Sequence, residues 1–212
     1  MAPPAGCEMM EWIARAVRNP HARVTGVVYL LYFLTAILAE FLVGRKLVAY
    51  GIATNLIATA FYVVLTLLFY GMFKPVNKSL SLLAALFSLA GCAVMSLGLF
   101  PHASLPISPL LFFGPYCLLI GYLIFRSIFL PRILGVFMAL AGLGWLAFLS
   151  PNLAHSLTLA IEGLGICAEA SLMLWLIVMG VNVLGWKEQA SATGRPPSVD
   201  AAVRVRGRHE AA

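Results

Sequence analysis

Apolar runs long enough to cross a bilayer constrain this chain more than any other feature. They cover about Val24 to Val43, Leu47 to Phe73, Leu80 to Phe100, Leu110 to Leu130, Ile133 to Leu149 and Leu157 to Trp186. Each is near the roughly 20 residues that a helix needs to traverse about 30 Å of hydrocarbon. Composition agrees, with 62% apolar and 10% charged residues, where soluble domains carry roughly 25% charged. The fold class expected is all-α, a polytopic six-helix transmembrane bundle in the lipid bilayer.

The Lys and Arg residues set an orientation. Arg15, Arg18 and Arg23 precede the first run, Lys74 and Lys78 follow the second, Arg126 and Arg132 flank the fourth-to-fifth turn, and Lys187 onward follows the sixth. The opposite loops hold only Arg45 and Lys46. By the positive-inside rule both termini are expected on the cytoplasmic side of the cell (inner) membrane. Residues 1–20 are read as a cytoplasmic tail with a short amphipathic helix ended by Asn19-Pro20, residues 21–186 as the six-helix domain, and residues 187–212 as a disordered basic tail. Basic residues before the first run raise the possibility of a signal peptide, but no clean small-x-small cleavage site follows it. The first helix is expected to be retained.

Bases confined to segment ends and tails leave no basic groove, so no nucleic-acid partner is expected. The four cysteines are scattered, with no CxxC pair, and are read as small packing groups. Small residues recur at Ala84, Ser88, Cys92 and Ser96, and again at Gly135, Ala139 and Gly142. Such stripes let helix backbones approach closely in lipid.

Polar chemistry concentrates in few places. Of eight carboxylates, Glu40, Glu162 and Glu169 fall inside the apolar runs, where each ionised acid costs at least about 2.5 kcal/mol. No Lys or Arg lies near a run centre, so these acids are expected to keep a proton, hold a cation or find a hydrogen-bond donor. Glu162 and Glu169 are seven residues apart and project from nearly the same side of one helix. Glu169 is placed near mid-depth, with Glu162 about 10 Å outward. Glu40, Asn55, Thr54, Thr59, Ser96, Tyr116 and Cys117 fall at or outward of mid-depth too. The expectation is an outward-facing polar pocket whose ligand-binding residues are Glu169, Glu162, Glu40, Asn55 and Tyr116. Each has a plainer reading: Glu40 snorkelling beside Arg45, Glu162 at the wet end of its helix, Glu169 as a structural hydrogen-bonding acid.

His102 and His155 read as loop residues, and no HExxH, GxSxG, phosphate loop or dinucleotide fingerprint is present. No catalytic residue, metal site or cofactor is therefore assigned. The leading functional reading is a binder or carrier of a small cation, proton or lipid-like ligand. Alternatives are a membrane-embedded enzyme, metal-assisted or not, and a structural or interaction protein. A homo-oligomer is compatible with all three.

His21-Ala-Arg-Val-Thr-Gly-Val-Val-Tyr-Leu-Leu, Ala39-Glu40-Phe41 and Lys74-Pro-Val-Asn-Lys-Ser-Leu-Ser resemble an uncharacterised prokaryotic membrane family, domain of unknown function 4386. So do Gly121-Tyr-Leu-Ile-Phe-Arg-Ser with Leu130-Pro-Arg-Ile-Leu-Gly-Val, and Glu169-Ala-Ser-Leu-Met-Leu-Trp-Leu with Gly180-Val-Asn182. The resemblance spans about residues 21–184. Family members often carry a longer polar segment between the third and fourth helices, which is a short turn here. The resemblance implies a cytoplasmic-membrane location and a retained first helix, and no chemistry.

Overall fold

The computed structural model describes residues 20–100 and 107–194. Within them the chain forms seven helices. These are α1 (Pro20–Gly44), α2 (Val48–Phe73), α3 (Lys78–Gly98), α4 (Leu110–Arg126), α5 (Arg132–Ala147), α6 (Pro151–Val178) and α7 (Val183–Gly194). No strand occurs among the described residues. That suits apolar segments in lipid, where backbone groups must be satisfied within the element itself.

Four helices are long and apolar enough to cross a membrane: His21–Gly44 of α1, Val48–Phe73, Lys78–Gly98 and Ser156–Val178 of α6. The expected fourth and fifth spans are shorter apolar helices of 17 and 16 residues. α4 ends at Arg126 rather than Leu130, because Ser127 turns extended and its hydroxyl caps the Ile124 carbonyl at 2.8 Å. Phe129 then packs inward, stacking on Phe73 with centroids 6.0 Å apart.

Two further boundaries differ from the sequence reading. Pro20 opens α1, four residues ahead of the expected start at Val24, since its fixed φ and missing N–H suit a first turn. The amphipathic helix expected before it lies outside the described residues. The sixth run is not continuous to Trp186. It breaks after Val178, where Gly180 adopts φ 69°, a left-handed helix end natural to glycine. Asn182 then starts α7, accepting the Gly185 N–H at 3.2 Å, as an N-cap asparagine does. Residues 187–194, expected to be disordered, are therefore helical, and the rest of that tail lies outside the described residues.

Each helix from α1 to α6 packs on its neighbours in sequence, and α1 returns to α6, so the six close a ring. The exterior is apolar, as lipid requires: Ile37 is 64% and Leu159 84% exposed. The interior is aromatic, with Tyr29, Tyr62, Phe69, Phe73 and Phe129 all buried.

Glycine contacts explain the closest seams. A Cβ at Gly121 would lie 2.7 Å from the Gly135 carbonyl oxygen, and one at Gly142 would lie 2.8 Å from that of Gly114. α4 and α5 are thus joined backbone to backbone at two points seven residues apart. At the ring's closure, a Cβ at Gly26 would meet the Ile177 N at 2.8 Å, so α1 lies directly against the end of α6. Three residues of the α3 stripe, Ala84, Ser88 and Cys92, are buried, and Ser96 at its end is half-buried. Ser88 meets Thr66 of α2 at 2.6 Å. Because the Thr66 hydroxyl donates to the Tyr62 carbonyl, Ser88 is the donor in that pair.

Candidate functional site

Among the described residues the one carboxyl drawn into the ring is Glu169. Two helices bring it there. On α6, Ile161, Gly165, Ala168, Leu172 and Leu176 form the buried stripe, and Glu169 stands beside it, half-buried. On α1, Ala22, Thr25, Gly26 and Tyr29 face inward. The Tyr29 hydroxyl donates to Glu169 Oε2 at 3.0 Å. Gly26 allows this by letting α1 approach α6 one turn away from Tyr29.

The carboxyl faces a set of phenols. Tyr29 and Tyr32 rings lie 6.2 Å apart, Tyr32 and Tyr62 4.7 Å, and Tyr62 and Tyr116 6.2 Å. Glu169 is near enough to Tyr32, Tyr62, Tyr116 and the Cys117 thiol to interact electrostatically with each. The cluster draws on α1, α2, α4 and α6, and it includes no Lys, Arg or His. Along the Ser156–Val178 span, Glu169 lies about 3 Å from the centre. A carboxyl there is neutral only with its proton on or with a cation beside it.

The five expected ligand residues are not gathered in one place. Glu169 and Tyr116 belong to the cluster. Glu40 is exposed, eleven residues along α1 from Tyr29 and so about 16 Å away along the axis. Arg45, the cation closest to it in sequence, lies over the Phe41 ring at 5.1 Å. Glu162 is exposed, about 10 Å along α6 from Glu169. Asn55 is half-buried, and its carbonyl accepts the Thr59 hydroxyl at 2.9 Å. Tyr29, Tyr32 and Tyr62 were not singled out from the sequence as ligand groups. Their signal was faint: aromatic residues at inward positions, which read equally well as packing.

Among the described residues no group of three or more His, Cys, Asp and Glu is placed to hold a metal ion.

Residues 106–180 match a family model described as Domain of unknown function (DUF4386). Over that stretch the chain is similar to this family. The match takes in α4, α5 and α6 and stops at Gly180, where α6 breaks. It contains Glu169 and Tyr116, while Tyr29, Tyr32 and Tyr62 lie outside it, as do the first-helix residues that carried the resemblance in the sequence. An uncharacterised protein of Archaeoglobus fulgidus is 26% identical over 147 residues, covering 66% of this chain and 90% of that protein. No solved structure matches the chain.

Proposed function

We propose that the chain is a multi-pass integral membrane protein that binds or carries a proton or small cation at Glu169. The observation behind this reading is the Tyr29–Glu169 hydrogen bond within a cluster of phenols that has no basic member. A single acid at mid-depth can be balanced reversibly by a proton or by a small cation. Phenol oxygens around it can accept contacts from either. A wholly structural acid would be expected to meet a fixed cationic partner or several donors, and the donor to Glu169 among the described residues is a phenol.

In this reading Tyr116 and Tyr62 line the same site. The site opens towards the end of the ring opposite the clustered bases, the outer side if the basic residues set topology. Two features support that direction. The buried positions of α1 cluster between Ala22 and Tyr29, and its remaining buried residue, Ala39, faces α2, where Gly51 lies against it. The seam between α1 and α6 is thus tightest on the base-rich side of Glu169. Both termini are then cytoplasmic, and α4 and α5 complete six crossings.

The test is thermal unfolding of detergent-solubilised wild type and Glu169→Gln, from pH 5 to 9 and across a panel of monovalent and divalent ions. The substitution should leave the fold intact and remove the ion or pH dependence shown by the wild type. Identical responses from the two proteins would reduce Glu169 to a structural hydrogen-bonding group.

A further inference from the structure

At the base-rich end of the ring, α1, α2 and α7 border a cavity of about 390 Å³ that does not include Glu169 in its lining. That volume is within the range of small-molecule sites. Leu67, Leu68, Gly71 and Met72 of α2 make one wall, with Val181 and Val183 closing the far side. His21 and Lys187, both exposed, supply the polar groups at its rim, while Thr25 lies buried deeper in the lining with its hydroxyl donating to the His21 carbonyl at 2.9 Å. Leu67 is itself 57% exposed on the lipid-facing exterior, so the apolar wall continues out to the bilayer. The far wall is fixed: Trp186 Nε1 donates to the Met72 carbonyl at 3.0 Å, and Gln189 bonds both the Ile128 N–H and the Arg126 carbonyl at 3.3 Å. α7 is therefore a docked element that satisfies carbonyls at the ends of two other helices.

We propose that this cavity binds an anionic phospholipid, with Lys187 and His21 holding the phosphate and the α2 wall holding acyl chain. A water-soluble anion would use the rim and leave an apolar wall open, and a neutral lipid would have no need of the lysine. The surroundings also favour negative charge. Arg23 follows His21 by two residues, with its buried Nε lacking a hydrogen-bond partner. Lys74, Lys78, Arg126 and Arg132 stand at the same end of the ring. Basic pockets between membrane helices on the base-rich side suit phosphate headgroups, and each base near the surface adds to the attraction. The site is independent of the Glu169 reading.

The test uses full-length protein in neutral detergent, with thermal unfolding followed against added phosphatidylglycerol, phosphatidylcholine or inorganic phosphate. At about 100 Kd, phosphatidylglycerol should raise Tm by roughly 5–10 °C. Phosphatidylcholine and inorganic phosphate should give less than half of that rise. Gly71→Phe fills the cavity, since a Cβ there meets nothing within 4 Å, and should abolish the response. Gly163→Phe, equally open but on α6 away from the cavity, should keep it. Lys187→Gln should weaken phosphatidylglycerol binding by about tenfold while the unliganded Tm stays unchanged. An undiminished response in Gly71→Phe and in Lys187→Gln would overturn the proposal, as would an equal response to phosphatidylcholine. Inorganic phosphate producing the whole shift would overturn the lipid and leave a soluble phosphate as occupant.

Discussion

Tyr29 and Glu169 are 140 positions apart in the chain, and only their placement on α1 and α6 joins them. The acid itself was legible in the sequence, because a carboxylate in an apolar run is costly and stands out. Its partner was not, because a tyrosine in an apolar run costs little and reads as packing. Glu40 and Glu162 stood out for the same reason as Glu169, yet both are exposed. Hydropathy registers a charge and is blind to which way it points. Removing the phenol oxygen gives a direct measure of the pair. Tyr29→Phe keeps the ring, which packs edge-on against Phe69 with centroids 5.9 Å apart, and takes one donor from a half-buried carboxyl. The expected loss is about 1–3 kcal/mol, read as a lower Tm in detergent. The ion or pH response attributed to Glu169 should persist in this variant. If it vanishes with the hydroxyl alone, Tyr29 is part of the binding group and more than a positioning residue.

Among the elements, the small-residue stripes were the part read most directly from sequence. Gly135 and Gly142 lie where α5 meets α4, and Ala84, Ser88 and Cys92 face inward from α3. Their counterparts Gly114 and Gly121 on α4 went unremarked, since a stripe of two among bulky aromatics is hard to separate from chance. The break between α6 and α7 was also written in the chain, as a glycine followed two residues later by an asparagine. An unbroken apolar run outweighed that punctuation, because hydropathy averages over a window and a helix ends at single residues. The α4–α5 seam gives a prediction at this scale. Gly121→Ala places a Cβ 2.7 Å from the Gly135 carbonyl oxygen and 2.8 Å from the Ala139 N. Backbone cannot rotate out of the way, so the helices must separate. The cost expected is about 1–3 kcal/mol. Gly163→Ala, which meets nothing within 4 Å, should instead be neutral or stabilise by up to about 1 kcal/mol through helix propensity. Thermal unfolding of both in one detergent checks the pair, and equal destabilisation would mean that the seam is looser than its geometry.

For the whole molecule, the remaining issue is whether α4 and α5 cross the bilayer or enter it and return. At about 1.5 Å per residue their 17 and 16 residues reach about 25 Å, short of an average hydrocarbon core of about 30 Å. Length alone therefore favours neither arrangement. Charge favours crossing. Arg126 and Arg132 bracket the turn between them, and a turn ending inside hydrocarbon would carry both into lipid at a cost of at least about 2.5 kcal/mol each. Instead that turn shares an end of the ring with Lys74 and Lys78 and is bonded to Gln189 of α7. Arg132 lies over the Phe125 ring at 5.4 Å, an aromatic and cationic pairing suited to an interface. Local thinning of the bilayer can absorb a mismatch of about 5 Å at a fraction of a kcal/mol per Å. Single cysteines in a background with the four native ones replaced can decide the matter. A cysteine at position 128, where Ile128 is 55% exposed, should react with an impermeant maleimide only after permeabilisation, as should one at position 76. A cysteine at position 107 should react in intact cells. Position 128 failing to react in either condition would place the turn inside the membrane and reduce the crossings to four. Labelling of 128 and 76 from outside, with 107 protected, would reverse the orientation and turn the Glu169 site towards the cytoplasm.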